Sequence, residues 1–432
     1  MDSKSICALP WVHLNVNPDG AATLCCYSWM HIDDGAGRDL NLQTHSTQEI
    51  WNGAGMRDIR RRMLTGEQIP NCDACFHDER YGRDSYRLKS NRKWLHEHPR
   101  AVEINQTIEN SVDGHMPLSP LYFDLRIGNL CNLKCTCCKP LYSSQIERDP
   151  VHSKWVIDAA HGRFDNRFTD SEEWSQSDAL RGEIMAFSGD LSRIQLAGGE
   201  PTINKVQMGM LRWLCDEDRA KDIDLEVVTN LTNVREEIYD IFSRFQSLAV
   251  DVSIDGHGPV YEYVRFPAKW HMLTRNVRRL REIRQDVRLT INFVLQALNA
   301  LNLVDLLSWA DDESINLSVT IGRGLNHYND FRILPAAARA EMRRRLDEFF
   351  LRKSNRDLTF LRNEIETVLR EMDESDFDDT ERREKMPGLM QFINDIDRSR
   401  QLSFRNACPD TIRFLTEYYG SWDDRTRYFT AV

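Results

Sequence analysis

Four cysteines lie within eight residues at Cys131-Asn-Leu-Lys-Cys135-Thr-Cys137-Cys138, and nothing else in the chain limits its fold as much. Nine of the eleven cysteines fall in two tight groups and the total is odd, a pattern that suits metal binding better than a disulfide framework. The C-x3-C-x2-C spacing inside the run lets three thiolates on one loop bind three irons of a 4Fe-4S cluster. The fourth iron is then open to another ligand. Spacing alone also admits a structural zinc knuckle of Cys131, Cys135, Cys137 and Cys138.

The residues before the run supply its setting. Leu121, Phe123, Leu125 and Ile127 alternate with Tyr122, Asp124 and Arg126, the period of two of a strand. Short apolar runs follow at 193–196, 225–229, 248–254, 289–295 and 317–321, with helical patterns near 204–216, 234–245, 271–285 and 302–311. Strands alternating with helices pair in parallel through right-handed crossovers. Six such units are fewer than a closed eight-stranded barrel needs, so the expected fold is α/β: a partial (β/α)6 TIM-like barrel with its mouth at the C-terminal strand ends. The cysteine run leaves the first of those ends. The stretch 145–190 exceeds one crossover and reads as an insertion. Before the barrel, residues 1–98 form a small cysteine-rich domain, and 99–120, polar and carrying Pro117 and Pro120, read as a linker. The barrel is expected over 121–335 and a Glu/Arg/Leu-rich helical extension over 336–432.

Composition sets the outer limits. The chain has 432 residues, 41% hydrophobic and 28% charged, enough for two or three cored domains. Its net charge of -11 argues against chain-wide attraction to nucleic acid or anionic membrane. No stretch approaches the roughly 20 apolar residues of a membrane span, and no signal-peptide core follows the polar start, so a cytoplasmic location is expected.

A second motif, Ala197-Gly198-Gly199-Glu200-Pro201, follows the next strand, where two glycines let the backbone approach a ligand and a carboxylate is held at the strand tip. The pair of motifs resembles the radical S-adenosylmethionine (SAM) superfamily. The resemblance covers about 121–325 and implies Cys131, Cys135 and Cys138 as cluster ligands, with Gly198, Gly199 and Glu200 lining the SAM amino group. It further implies that Thr229, Asn230, Ser253 and Asp255 hold the ribose and that Arg265 meets the SAM carboxylate. Cys137 stands where the superfamily often has an aromatic residue. The implied chemistry is reductive cleavage of SAM to methionine and a 5′-deoxyadenosyl radical that removes hydrogen from an unactivated position. Electrons would come from a flavodoxin-like or ferredoxin-like partner.

The N-terminal cysteines form the other group. Cys7, Gly20, Cys25 and the distant Cys72-Asp-Ala-Cys75 resemble the twitch domain, a truncated relative of the SPASM domain, which binds an auxiliary 4Fe-4S cluster. Cys7, Cys25, Cys72 and Cys75 are the matching ligands, with Cys26 able to replace Cys25. Here the set precedes the barrel, whereas such domains commonly follow it. A four-cysteine zinc site is the alternative.

Two solitary cysteines, Cys215 and Cys408, read as small buried apolar residues. By analogy with radical SAM epimerases, Cys408 is also a candidate hydrogen donor to a substrate radical. The resemblance points to an enzyme acting on a peptide, as in ribosomal-peptide maturation, or on a natural-product intermediate. Dehydrogenation of a small sugar alcohol is the alternative, and a non-catalytic zinc-cysteine interaction protein is the reading from a different class.

Overall fold

Which residues form strands follows from alternation, and the faces of those strands explain the architecture. In the computed structural model, the described residues are 5–80, 82, 84–157, 175, 177–321, 328–352, 357–374 and 377–420. Part of the expected insertion at 145–190 and the last residues of the extension lie outside them. The chain forms two compact units: Met1–Leu130 with Thr169–Val228 and Arg235–Leu248, and Cys131–Phe168 with Thr229–Val234 and Ala249–Val432.

In the first unit, β1 (His13–Val16), β2 (Ala22–Cys25), β3 (Ser28–His31), β4 (Tyr122–Leu125), β5 (Arg193–Leu196) and β6 (Asp224–Thr229) lie in the order β3-β2-β1-β4-β5-β6. The β1-β2-β3 pairs are antiparallel, whereas β1-β4, β4-β5 and β5-β6 are parallel. The cysteine-rich segment thus lends a strand to the parallel sheet. Register places Leu14, Phe123, Ile194 and Leu225 side by side, all buried, and Val16, Leu125, Leu196 and Val227 in a second row. Burial of one such side chain is worth about 1.5–3 kcal/mol. The helix Lys205–Asp216 is capped by Asn204, whose side chain accepts from the Val206 and Gln207 amides, and its Gln207 amide nitrogen donates to the Leu125 and Ala197 carbonyls.

Because side chains alternate, the opposite face carries a different set. One row is His13, Tyr122, Arg193 and Asp224; the next is Thr23, Asn15, Asp124, Gln195 and Glu226. Every member is polar. Arg193 pairs with Glu226, Lys93 with Asp224 at 3.2 Å, and the Tyr122 hydroxyl donates to Gln195.

Part of the expected linker is ordered: Ala101–Glu109 is a helix that buries Ala101, Ile104 and Ile108. Arg60, on the helix Ala54–Leu64, is wholly enclosed. Its guanidinium lies 4.4 Å from the Trp51 ring centroid and donates to Pro10 O at 2.7 Å, Asn52 Oδ1 at 3.0 Å and Gly114 O at 3.2 Å. Arg60→Met would remove the donor to the Pro10 and Gly114 carbonyls and leave Asn52 Oδ1 with the Met116 amide alone, and a loss of about 2–4 kcal/mol is expected in urea unfolding. A loss below about 0.5 kcal/mol would show that the guanidinium is not the staple.

In the second unit, β7 (Ser247–Ser253) uses Ala249–Ser253 to pair in parallel with β8 (Arg288–Leu295), which pairs in parallel with β9 (Asn316–Ile321). All six strands expected from the sequence are present, separated by helices, and the α/β, partial-barrel class holds. The extension is helical at Ala336–Leu351, Thr359–Glu374, Asp379–Arg400, Phe404–Ala407 and Pro409–Tyr419. Among the described residues no helix is long and apolar enough to cross a membrane.

Candidate functional site

The cysteine loop Cys131–Cys138 is not a regular element, so its shape must come from outside hydrogen bonds. Ser144 Oγ accepts from the Cys131 amide at 3.2 Å, and Ser143 Oγ donates to Leu133 O at 2.9 Å. On either side of Cys135, the Lys134 amide donates to Phe266 O at 2.6 Å and the Thr136 amide to Val264 O at 2.8 Å. The Thr136 hydroxyl adds a bond to Gln296 Oε1 at 3.0 Å. Cys131 and Cys135 are buried, and Cys138 is half-buried. Burial pushes the Cys135 and Cys138 thiols up, and for Cys138 the neighbouring Cys135 and Cys131 charges add to it. A cationic iron core relieves that mutual repulsion, so the donor set fits a cluster.

Arg265 and Asp255 meet this loop. Arg265 Nη1 lies 3.7 Å from Cys135 Sγ and Nη2 lies 2.8 Å from Asp255 Oδ2. Asp255 Oδ1 accepts from the Val294 amide at 2.8 Å, and the Cys137 thiol points to Oδ2 at 3.7 Å. Burial and the Asp255 charge push the Cys137 thiol well up, and it has a carboxylate rather than the other thiols as its partner. At the end of β6, Asn230 Nδ2 donates to Asn132 Oδ1 at 2.9 Å and Asn132 Nδ2 donates to Thr232 Oγ1 at 3.0 Å. Thr229 Oγ1 accepts from the Leu231 amide. Ser253 ends β7, two residues before Asp255. Thr229, Asn230, Ser253, Asp255 and Arg265 therefore share a unit with the three-thiol loop. Asn132 was not singled out in the sequence, where an asparagine between two cysteines has no signal of its own.

Gly198, Gly199 and Glu200 sit in the first unit. Gly199 has φ +53°, and a Cβ there would lie 2.3 Å from Leu130 O, so glycine alone permits the approach. The Glu200 amide donates to the same carbonyl at 2.8 Å, and the Glu200 carboxylate is buried, accepting from the Thr202 hydroxyl at 2.7 Å.

The N-terminal thiols form a second assembly. Cys7, Cys25, Cys72 and Cys75 line one cavity with Leu9, Leu24, Met63, Ile69 and Phe76. Cys7 comes from the turn before the helix Leu9–Val12, Cys25 from the end of β2, and Cys72 and Cys75 from the short helices around 70–80. Burial pushes Cys7 and Cys72 up to about 12, with charges of neighbouring cysteines adding to it. Cys26 lines no part of this cavity; burial also raises it to about 12, beside Arg126, Asp124, Glu226 and the Tyr86 hydroxyl. All eleven cysteines are free thiols. Among the described residues no three His, Cys, Asp or Glu side chains converge closely enough to seat one metal ion. The four thiols line one cavity.

Cys408 is buried between the helices Phe404–Ala407 and Pro409–Tyr419. It lines a cavity with His257, Asn302 and Asp305 that includes no residue of the cysteine loop. Cys215 is buried on its helix, as a small apolar residue would be.

Comparison with known proteins follows this division. Residues 7–76 match the SPASM iron-sulfur cluster-binding domain, and residues 125–310 match the radical SAM superfamily. No curated protein matches the chain. Among solved structures, Streptococcus suis SuiB bound to precursor peptide SuiA is 13% identical with a TM-score of 0.34, over 70% of this chain and 60% of that one. Native anSMEcpe with bound AdoMet is 19% identical with a TM-score of 0.33, over 48% of this chain and 51% of that one. The chain thus spans about half to three fifths of the length of these structures. The chain thus carries a segment matching the radical SAM superfamily at 125–310 and, ahead of it, one matching the SPASM iron-sulfur cluster-binding domain at 7–76; S-adenosylmethionine and iron-sulfur clusters are the cofactors that fit these two segments.

Proposed function

We propose that Cys131, Cys135 and Cys138 hold a 4Fe-4S cluster with one open iron, that Cys7, Cys25, Cys72 and Cys75 hold one auxiliary 4Fe-4S cluster, and that the enzyme abstracts hydrogen from a peptide or other polar natural-product intermediate. The observation that carries this reading is the strapping of the three-thiol loop on both sides of Cys135, which presents C-x3-C-x2-C thiols as a preformed set. When bound, SAM and its cluster supply reductive cleavage to methionine and a hydrogen-abstracting 5′-deoxyadenosyl radical.

The chain's own residues then bind, orient and exclude. Gly198 and Gly199 clear backbone space, and Glu200 takes the SAM amino group. Thr229, Asn230, Ser253 and Asp255 hold the ribose. Arg265 Nε, buried and without a hydrogen-bond partner among the described residues, is available to the SAM carboxylate. Cys137 keeps its proton beside Asp255 and stays out of the ligand set. Cys408, enclosed away from the loop's lining, is assigned a packing role rather than that of hydrogen donor. In the division of labour, residues 1–98 serve the auxiliary cluster, 121–335 the chemistry and 336–432 its support. A flavodoxin-like or ferredoxin-like protein in the cytoplasm supplies electrons.

Iron and sulfide analysis with Mössbauer and EPR spectra tests the reading on anaerobically reconstituted protein. About eight irons are expected, falling to about four in Cys131→Ala/Cys135→Ala/Cys138→Ala, with a SAM-induced EPR change in wild type alone. Bound zinc with no iron at either site would overturn it.

A further inference from the structure

The C-terminal extension ends its longest helix on a buried arginine. Arg400, the last residue of Asp379–Arg400, is 6% exposed, an unusual place for a guanidinium on a helix whose other buried residues are mainly apolar. Its Nη1 donates to Lys134 O at 2.6 Å, the carbonyl immediately before Cys135. Its Nη2 donates to His152 Nδ1 at 2.8 Å and lies 3.7 Å from Asp149 Oδ2. The Phe266 ring lies 5.7 Å from the guanidinium carbon, and Phe266 O receives the Lys134 amide. Both polar groups of the Lys134 backbone are therefore fixed, the amide by Phe266 and the carbonyl by Arg400. Asp149 is held in turn: its Oδ1 accepts from the Val151 and His152 amides, and Lys134 Nζ lies 3.2 Å from its Oδ2.

We propose that Arg400 is a positioning residue for the cysteine loop, and that through it the C-terminal extension sets both the placement of Cys135 and the reduction potential of the cluster held there. The inference rests on the assignment of that cluster to Cys131, Cys135 and Cys138. Its physical basis is that a buried cation beside an anionic thiolate cluster favours the added electron, and buried charges are weakly screened. Asp149 partly offsets the guanidinium, so the two side chains should move the potential in opposite directions.

The test is an EPR-monitored redox titration of the SAM-responsive signal in reconstituted full-length protein, with iron content measured alongside. Arg400→Met is expected to shift the midpoint negative, lowering the reduced-to-oxidised ratio at a fixed potential about tenfold, which is about 59 mV for one electron. Arg400→Lys keeps the charge but loses the paired donors, and should shift less. Asp149→Asn keeps the acceptor for the Val151 and His152 amides while removing the charge, and should shift the midpoint positive. A titration of Arg400→Met that overlays wild type at full iron content overturns the proposal. Should Arg400→Met fail to hold iron, Asp149→Asn decides: a positive shift supports the proposal, and none overturns it. Absence of any SAM-responsive signal in wild type would overturn the cluster assignment instead, a result distinct from either.

Discussion

Asp255→Ala is expected to destabilise the protein by about 3–5 kcal/mol and to abolish SAM cleavage. The carboxylate is wholly buried and the Arg265 side chain 10% exposed, so the pair is screened from water. Burial works to lower the Arg265 pKa, but the Asp255 charge outweighs it and holds the guanidinium firmly protonated. Without Asp255 that cation stays buried with Cys135 Sγ as its remaining neighbour, the Val294 amide loses its acceptor, and Cys137 loses the carboxylate beside its thiol. Asp255→Asn keeps an acceptor for Val294 and should cost less, about 1–3 kcal/mol. Urea unfolding of both variants beside wild type measures the difference. A loss below about 1 kcal/mol for the alanine variant would mean that water reaches Arg265 and that the pair is not the buttress of the loop.

Asp255 also marks how far the sequence could be read. The six barrel strands are legible because their apolar residues recur in short runs between turn residues, and the helices between them carry stripes at helical spacing. The C-x3-C-x2-C loop and the four cavity thiols are legible because ligand spacing is a local property. Asp255 and Arg265 could be singled out, but only as ribose and carboxylate contacts. Their ion pair and the approach of Arg265 to Cys135 depend on the three-dimensional path of the loop at 264–266. The strand His13–Val16 carries a local alternation, Val12, Leu14 and Val16 against His13, Asn15 and Asn17, but its parallel pairing with β4, distant in the sequence, has no local signal. The helix Ala101–Glu109 lies in a stretch where Pro117 and Pro120 dominate the local signal. Arg60 and Arg400 carry no local signal of burial, since nothing in an arginine's neighbours announces that a ring or a carbonyl from a distant segment will enclose it.

Stability should fall steeply as pH drops from 7 to 5, because two histidines are buried in the neutral form. His13, on β1, is wholly enclosed, and burial together with the Arg193 and Arg126 charges lowers its pKa to about 3. Asp124 lies 4.0 Å away, where burial raises its own pKa and the Arg126 charge opposes the rise. His152 is equally enclosed and lowered to about 3, first by burial and then by Arg400. Arg400 can only donate, so His152 Nδ1 must accept; a proton there would break the bond and set two cations face to face. Both folded pKa values lie below the unfolded value of about 6.5, so between them the unfolded chain binds more protons and stability rises with pH. Each histidine therefore costs the folded state about 2 kcal/mol at pH 5 relative to neutral pH, growing by about 1.4 kcal/mol for each further unit of acid until pH nears 3. Urea unfolding of wild type and His13→Asn across pH 4–7 checks this, the difference between the two isolating one residue from the carboxylates that titrate nearby. The variant should lose about 1.4 kcal/mol per pH unit of slope below pH 6, whatever its stability at neutral pH. Parallel curves would mean that His13 takes up its proton in the folded state, and that the polar rows of the sheet face are open enough to water to solvate it.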